Sequence, residues 1–176
     1  MRIVSGMYRG KTFNPPKNFK VRPTTDFAKE GLFNIILNNF DFEEIEVLDL
    51  FAGTGSISFE FASRGTNRID LVELNLNHLK FISGVIKELG LKQIHTIKGN
   101  VFQYIKACNY KYDIIFADPP YELAGIDTIP DLIFEKGLLK PDGWLILEHS
   151  GNYKFETHPR YHQERYYGNV HFTIFK

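Results

Sequence analysis

From Glu46 onward the chain alternates between short apolar runs and amphipathic stretches, and this alternation constrains the fold more than any other feature. Glu46–Phe51 reads as a strand, Ser56–Ser63 as a helix ended by Gly65, and Arg68–Glu73 as a strand. Asn75–Leu89 is a helix with Leu79, Ile82, Ile86 and Leu89 on one face, stopped by Gly90. Gln93–Lys98, Val101–Ala107, Tyr112–Ala117, Ile126–Lys136 and Gly143–Glu148 continue the series as strand, helix, strand, helix, strand. Arg160–Tyr167 and Val170–Phe175, around Gly168-Asn169, read as a closing hairpin. Units of this length close right-handed into an α/β fold with a mostly parallel sheet. Ligands of such sheets sit at the carboxyl ends of the strands. At 176 residues with 43% apolar side chains, the chain is expected to be one domain, 1–176, with a buried core.

The segment ahead of this alternation is different. Arg2–Ser5 and Lys11–Asn14 flank Gly6 and Gly10 like a short hairpin, and Pro15-Pro16 and Arg22-Pro23 mark an extended connector. A helix is expected from Thr24, with Phe27, Leu32, Ile35 and Ile36 near a 3.6 period and Thr24 or Asp26 as its cap. The zero net charge hides a split. Positions 1–30 carry seven basic and two acidic residues, net +5, leaving 14 basic and 19 acidic residues, net −5, for the rest. Residues 1–22 thus form a basic extension. On charge alone it fits two readings equally, contact with nucleic acid or a solvated terminus.

Several classes drop out. One cysteine, Cys108, excludes a disulfide framework and a cysteine-based zinc site, and fits a reducing compartment. His158 and His162 are four apart, but Pro159 between them opposes a helix, so no metal site is expected. No run of 18 apolar residues and no signal core occur, so the expected location is cytoplasmic, away from membranes. Trp144 reads as core and Glu148 as a supporting strand-end residue.

Three strand ends carry the chemistry. Asp49-Leu50-Phe51-Ala52-Gly53-Thr54-Gly55 follows the first strand and opens a helix, and its glycines allow a tight turn and close approach of a ligand. The dinucleotide fingerprint G-x-G-x-x-G fails at its third position, which is Ser58. Glu73 ends the second strand, where a carboxylate can accept both hydroxyls of a ribose; its loss is expected to leave the fold intact. Asp118-Pro119-Pro120-Tyr121 decides between cofactors, because a dehydrogenase has no use for it. The prolines fix the loop and lack N–H groups, so carbonyls and the Asp118 carboxylate form a nest of acceptors for an –NH2 group. Tyr121 offers a face on which a base stacks. Acceptors that hold the amine hydrogens out of plane localise its lone pair toward an electrophilic methyl.

These motifs resemble those of class I S-adenosylmethionine-dependent methyltransferases acting on amino groups. The N-terminus narrows the resemblance. Arg2-Ile3-Val4-Ser5-Gly6-Met7-Tyr8-Arg9-Gly10-Lys11, then Arg22-Pro23-Thr24-Thr25-Asp26 and Lys29-Glu30-Gly31-Leu32-Phe33-Asn34, are similar to the RsmD-type family that methylates N2 of a guanine in 16S ribosomal RNA. The resemblance implies a Rossmann-like sheet of seven strands with the last antiparallel, preceded by the hairpin and helix. It implies S-adenosylmethionine as cofactor, with Asp49, Gly53 and Gly55 around its methionine part, Glu73 at the ribose and Asn100 and Val101 at the adenine edge, and with Phe51, Thr54, Leu74 and Asp118 also among its contacts. Asp118, Pro119 and Tyr121 would be catalytic, and Arg2, Arg9, Lys11, Arg22 and Lys29 would contact RNA. A monomer acting on ribosomal RNA within a small-subunit particle is expected. Two departures stand out: Asn100 and Phe27 occupy positions where the family commonly has Asp and Arg. Rival readings are an adenine-N6 or glutamine-N5 methyltransferase, and a catalytically silent RNA-binding factor in ribosome assembly.

Overall fold

The computed structural model describes residues 1–16, 19 and 25–176. Its elements are α1 (Asp26–Leu37), β1 (Glu46–Leu50), α2 (Ser56–Ser63), β2 (Arg68–Glu73), α3 (Leu76–Leu89), β3 (Ile94–Lys98), α4 (Val101–Ala107), β4 (Tyr112–Ala117), α5 (Ile129–Lys136), β5 (Leu139–His149), β6 (Tyr161–Tyr167) and β7 (Val170–Phe175). The seven strands form one sheet in the order β3-β2-β1-β4-β5-β7-β6. β1 to β5 pair in parallel, and β7 runs antiparallel to both β5 and β6.

The sheet forms because its central strands are apolar on both faces, as parallel strands covered on both sides must be. Val47, Leu48, Ile114, Ile115, Leu145 and Ile146 are all at 0% exposure. One face packs on α1, α2 and α3 through Leu32, Phe33, Phe59, Phe61 and Ile82; the other packs on α4 and α5 through Ile105, Ile129 and Ile133. Among the described residues, no helix is long and apolar enough to cross a membrane.

Some boundaries differ from expectation, each for a local reason. The stretch from Ile126 divides into a 3-10 turn, Ile126–Thr128, and α5. Pro130 explains the break, since a residue without an N–H belongs in a helix's first turn. β5 starts early because pairing with β4 begins at Tyr112↔Leu139, before the turn at Asp142-Gly143, and then resumes at Ile114↔Trp144. The turn is held by Lys140, whose Nζ lies 2.7 Å from both Glu46 Oε2 and Asp113 Oδ2. α1 is capped by Thr25, whose hydroxyl accepts the Ala28 N–H, and its buried face is Ala28, Lys29, Leu32, Phe33 and Ile36; Phe27 is 69% exposed. Thr24 lies outside the described residues.

The N-terminal hairpin is reduced to a single bridge, Arg2↔Thr12, with Ile3 N–H donating to Lys11 O and Gly10 N–H to Ile3 O. Its firmer attachment is to the end of α2. Met7 N–H donates to Ser63 O (2.7 Å), Tyr8 N–H to Ser63 Oγ (3.0 Å), and Ser63 Oγ–H to Ser5 O (2.6 Å). A Cβ on Gly6 would lie 1.9 Å from Ser63 O, so only glycine fits this contact.

Candidate active site

The strand ends meet as the topology requires. β1 lies between β2 and β4, so the Gly loop after β1, Glu73 at the end of β2 and Asp118 after β4 share the carboxyl edge. The loop is sharply bent, with positive φ at Phe51 (63°), Gly53 (57°) and Gly55 (77°). For Phe51 this left-handed backbone is costly and persists because the surroundings enforce it. A Cβ at Gly55 would come within 2.9 Å of the Phe59 ring. α2 starts at Ser56 with Gly55 as its cap and no side-chain bond from that cap, and the Ser58 amide in its first turn donates to the Asp49 carboxylate.

Glu73 builds this loop. Its Oε2 accepts the Gly53 N–H (2.8 Å) and its Oε1 the Asn75 N–H (2.7 Å). Beyond facing the crevice, the Glu73 carboxylate thus ties together the loops that follow β1 and β2. Each oxygen retains a further lone pair for a ribose hydroxyl. His78 on α3, which the sequence reading missed, approaches with Nδ1 3.5 Å from Glu73 Oε2, and Phe19 packs against it with ring centroids 4.6 Å apart.

Asp49 faces inward. It is 2% exposed and accepts the Ser58 hydroxyl at 2.6 Å. Burial pushes its pKa up to about 7, the nearby Glu73 charge adds to the rise, and the Ser58 bonds oppose it. Asp49 thus anchors α2 to β1, and Ser58 is its partner, at the position where the dinucleotide fingerprint has glycine. Asp118 is half-buried, with its N–H 3.4 Å from Leu50 O. Its pKa stands well above the usual carboxylate range, mainly through burial and then through the charges of Glu148 and Asp49. Pro119 is buried, Pro120 O accepts the Leu123 N–H at 2.8 Å, and Tyr121 is 38% exposed.

The remaining expected contacts divide. Thr54 is buried, with its hydroxyl 3.7 Å from the Met1 sulfur, and Leu74 is exposed. Asn100 caps α4, its Oδ1 accepting the Gln103 N–H at 3.2 Å, and Val101 is buried in the second core. In the arm, Arg9 and Lys11 are exposed. Arg2 is half-exposed and pairs with Asp26 at 2.8 Å. Lys29, expected to contact RNA, is corrected to an internal role: it is 1% exposed, with Nζ 3.2 Å from Glu60 and 3.4 Å from Asp26. Arg22 lies outside the described residues. Between the arm and the starts of α1 and α2 lies a groove of about 340 Å³, lined by Met1, Arg2, Asn14, Thr25, Asp26 and Ser56 among others.

Burial and the mutual repulsion of neighbouring carboxylates hold Asp49 and Asp118 above the usual range, with Glu148 contributing to the rise at Asp118. A cation such as a sulfonium would relieve that repulsion and draw these groups toward their ionised forms, whereas a pyrophosphate would add to it. The glycine cradle and the Glu73 carboxylate fit the remainder of S-adenosylmethionine. Sheet order, the antiparallel β7 and these strand-end groups define a class I methyltransferase. The family model described as conserved hypothetical protein 95 matches residues 1–176, and the chain belongs to that family, the RsmD-type methyltransferases. It is similar to ribosomal RNA small subunit methyltransferase D of Haemophilus influenzae (30% identity, 84% of this chain, 78% of that one) and of Buchnera aphidicola (29%, 84% and 75%). Among solved structures, a hypothetical protein of Thermus thermophilus superposes with a TM-score of 0.87 (23% identity, 100% and 99% covered). SMU.776, described as a methyltransferase complexed with SAH, superposes with 0.64 (18%, 85% and 50%).

Proposed function

We propose that the protein transfers a methyl group from S-adenosylmethionine to the exocyclic N2 amine of a guanine in 16S ribosomal RNA. The observation that carries this reading is the half-buried Asp118-Pro119 loop, whose carboxylate and proline carbonyl are acceptors, standing at the same sheet edge as the Gly loop and Glu73. Relatives whose names specify ribosomal RNA of the small subunit support the substrate class.

The cofactor supplies an electrophilic methyl on a positively charged sulfur. The protein does the positioning. Guanine turns out of the RNA and lies against the Tyr121 ring. The Asp118 carboxylate and the Pro119 carbonyl accept the two amine hydrogens, which turns the nitrogen lone pair toward the methyl. Positive charge that develops on N2 as it takes the methyl would be stabilised by the ionised Asp118 and the neighbouring Glu148 and Asp49. With Asp118 ionised beside the cationic cofactor, its tendency to hold a proton, raised by burial and by Glu148 and Asp49, suits it to accept the proton N2 loses. The exposed Arg9 and Lys11 and the groove beside Arg2 take the RNA backbone.

The test is mass spectrometry of nucleosides from ribosomal RNA of cells with and without the protein, paired with methyl transfer in vitro onto small-subunit particles. N2-methylguanine that disappears with the protein and is restored in vitro is the expected result. N6-methyladenine, methylation of a protein glutamine, or RNA binding without turnover would replace this reading.

A further inference from the structure

Phe27 stands on the same edge as the candidate active site and its ring is held in place without being buried. It is 69% exposed in the first turn of α1. Tyr167, at the end of β6, meets it edge-on with ring centroids 5.5 Å apart. Tyr167 in turn packs against Gly31, one turn along α1, where a Cβ would lie 2.2 Å from the tyrosine ring. The bare glycine, the tyrosine seated on it and the phenylalanine propped against that tyrosine form an aromatic ledge open to solvent.

Strand pairing fixes where the ledge lies. Glu148, beside Asp118 at the end of β5, pairs with Phe172 on β7, and Phe172 with Arg165 on β6, two residues before Tyr167. Three strand spacings and that short rise put the ledge on the order of 15 Å from Asp118 along the carboxyl edge. Asp26, adjacent in sequence to Phe27, borders the groove that also touches Ser56 at the start of α2, so the groove runs between the start of α1 and the start of α2. This distance is too great for the base being methylated and suits a neighbour on the same strand. Arg165, two residues before Tyr167 on β6, is exposed, and Arg2 is half-exposed and paired with Asp26, the residue before Phe27, so both cations lie in the neighbourhood of the ledge. An exposed ring with cations in its neighbourhood, on a surface that tracks away from a base pocket, matches how proteins hold unpaired nucleotides.

We propose that Phe27 is a stacking platform for the base of an unpaired nucleotide flanking the target in the ribosomal RNA, with Tyr167 and Gly31 as the groups that position it. The proposal rests on the reading of the protein as an RNA methyltransferase. Stacking that holds the RNA equally before and during transfer raises affinity without altering the chemical step. Phe27→Ala and Phe27→Leu should therefore raise KM for small-subunit particles by about 5–100-fold with kcat unchanged. Phe27→Trp should keep or improve the wild-type KM. Melting temperature and SAH affinity should not move in any of them, since the ring is outside the core and away from the Gly loop.

Steady-state methylation of small-subunit particles with these three variants, beside wild type, makes the test. A wild-type KM in Phe27→Ala overturns the proposal, as does a wild-type KM in Phe27→Leu, which would show that apolar bulk suffices. If wild type itself transfers no methyl to the particles and does not bind them, the RNA reading has failed and not the ledge alone.

Discussion

The ammonium of Lys29 lies 3.2 Å from Glu60 Oε1, and the two side chains are 1% and 0% exposed. Lys29 also donates to Arg2 O (2.5 Å), and Glu60 accepts the Val4 N–H (2.7 Å) and pairs with Arg64. One buried carboxylate therefore joins the arm, α1 and α2.

Removing one partner of a buried pair strands the other charge, which costs about 3–5 kcal/mol. Lys29→Met should fall at the lower end, because Glu60 keeps Arg64 and the Val4 amide, and Glu60→Ala should cost more. Urea unfolding followed by circular dichroism gives both values. A loss below about 1 kcal/mol for Lys29→Met would mean that water reaches the pair.

Glu73→Ala should weaken binding of SAH by about tenfold to a hundredfold, the loss of a charged hydrogen-bonding group. It should also lower the melting temperature, because the Gly53 and Asn75 amides lose their acceptor. Glu73→Gln keeps one acceptor oxygen and should fall between. Calorimetric titration beside thermal melts separates the two effects; unchanged affinity in Glu73→Ala would place the ribose elsewhere.

Asp118→Ala should nearly abolish single-turnover methylation while SAH affinity falls much less, and Asp118→Asn should be milder because its amide oxygen still accepts. Tyr121→Phe should retain most activity, whereas Tyr121→Ala should lose about 1–3 kcal/mol of base binding. Activity that simply followed melting temperature across the four variants would reduce the loop to a structural role.

Asp49 should contribute a loss of stability in the ligand-free protein as pH rises from about 4 to 7. Asp49 has a folded pKa of about 7 against 3.8 as a free side chain. Between those values the folded state holds a proton that the unfolded state has released, so raising pH favours unfolding. The full difference is on the order of 4 kcal/mol. Asp49→Asn should flatten the slope in this window, and Ser58→Ala should extend it upward by removing a bond to the ionised form. Urea melts at several pH values read this directly; a slope unchanged in Asp49→Asn would assign the effect to another group.

Arg9→Ala and Lys11→Ala should leave the melting temperature alone, since both side chains are exposed. Each should weaken RNA binding and, by removing one phosphate partner, reduce the slope of log affinity against log salt by about one. Binding measured across a salt series checks both statements, and an unchanged slope would leave the arm's charge as a solubility feature.

The sheet was legible because burial on both faces leaves unbroken runs such as Tyr112–Ala117, and because glycines mark helix ends, as Gly90 does after α3. Glu73 and Asp118 were legible because they follow such runs. Lys29 was not, because a lysine in a basic segment looks like a phosphate contact until Glu60, 31 residues away, is placed opposite it. Phe27 counted toward an apolar stripe by spacing, yet Lys29 occupies the buried face and Phe27 points outward. The Asp49–Ser58 bond and the seating of Tyr167 on Gly31 also depend on distances that one-dimensional spacing does not contain.

Helix α2 is eight residues long, about 12 Å, and is gripped near both ends. Ser58 is bonded to Asp49, and Glu60 and Ser63 hold the arm. One extra residue inserted after Ser58 would rotate everything beyond it by about 100°. Glu60 and Ser63 would swing away from their partners while the Gly loop stayed put. The length of α2 is thus a gauge that sets the arm against the cofactor loop, and insertions that surface turns elsewhere in the chain would absorb are closed to this helix.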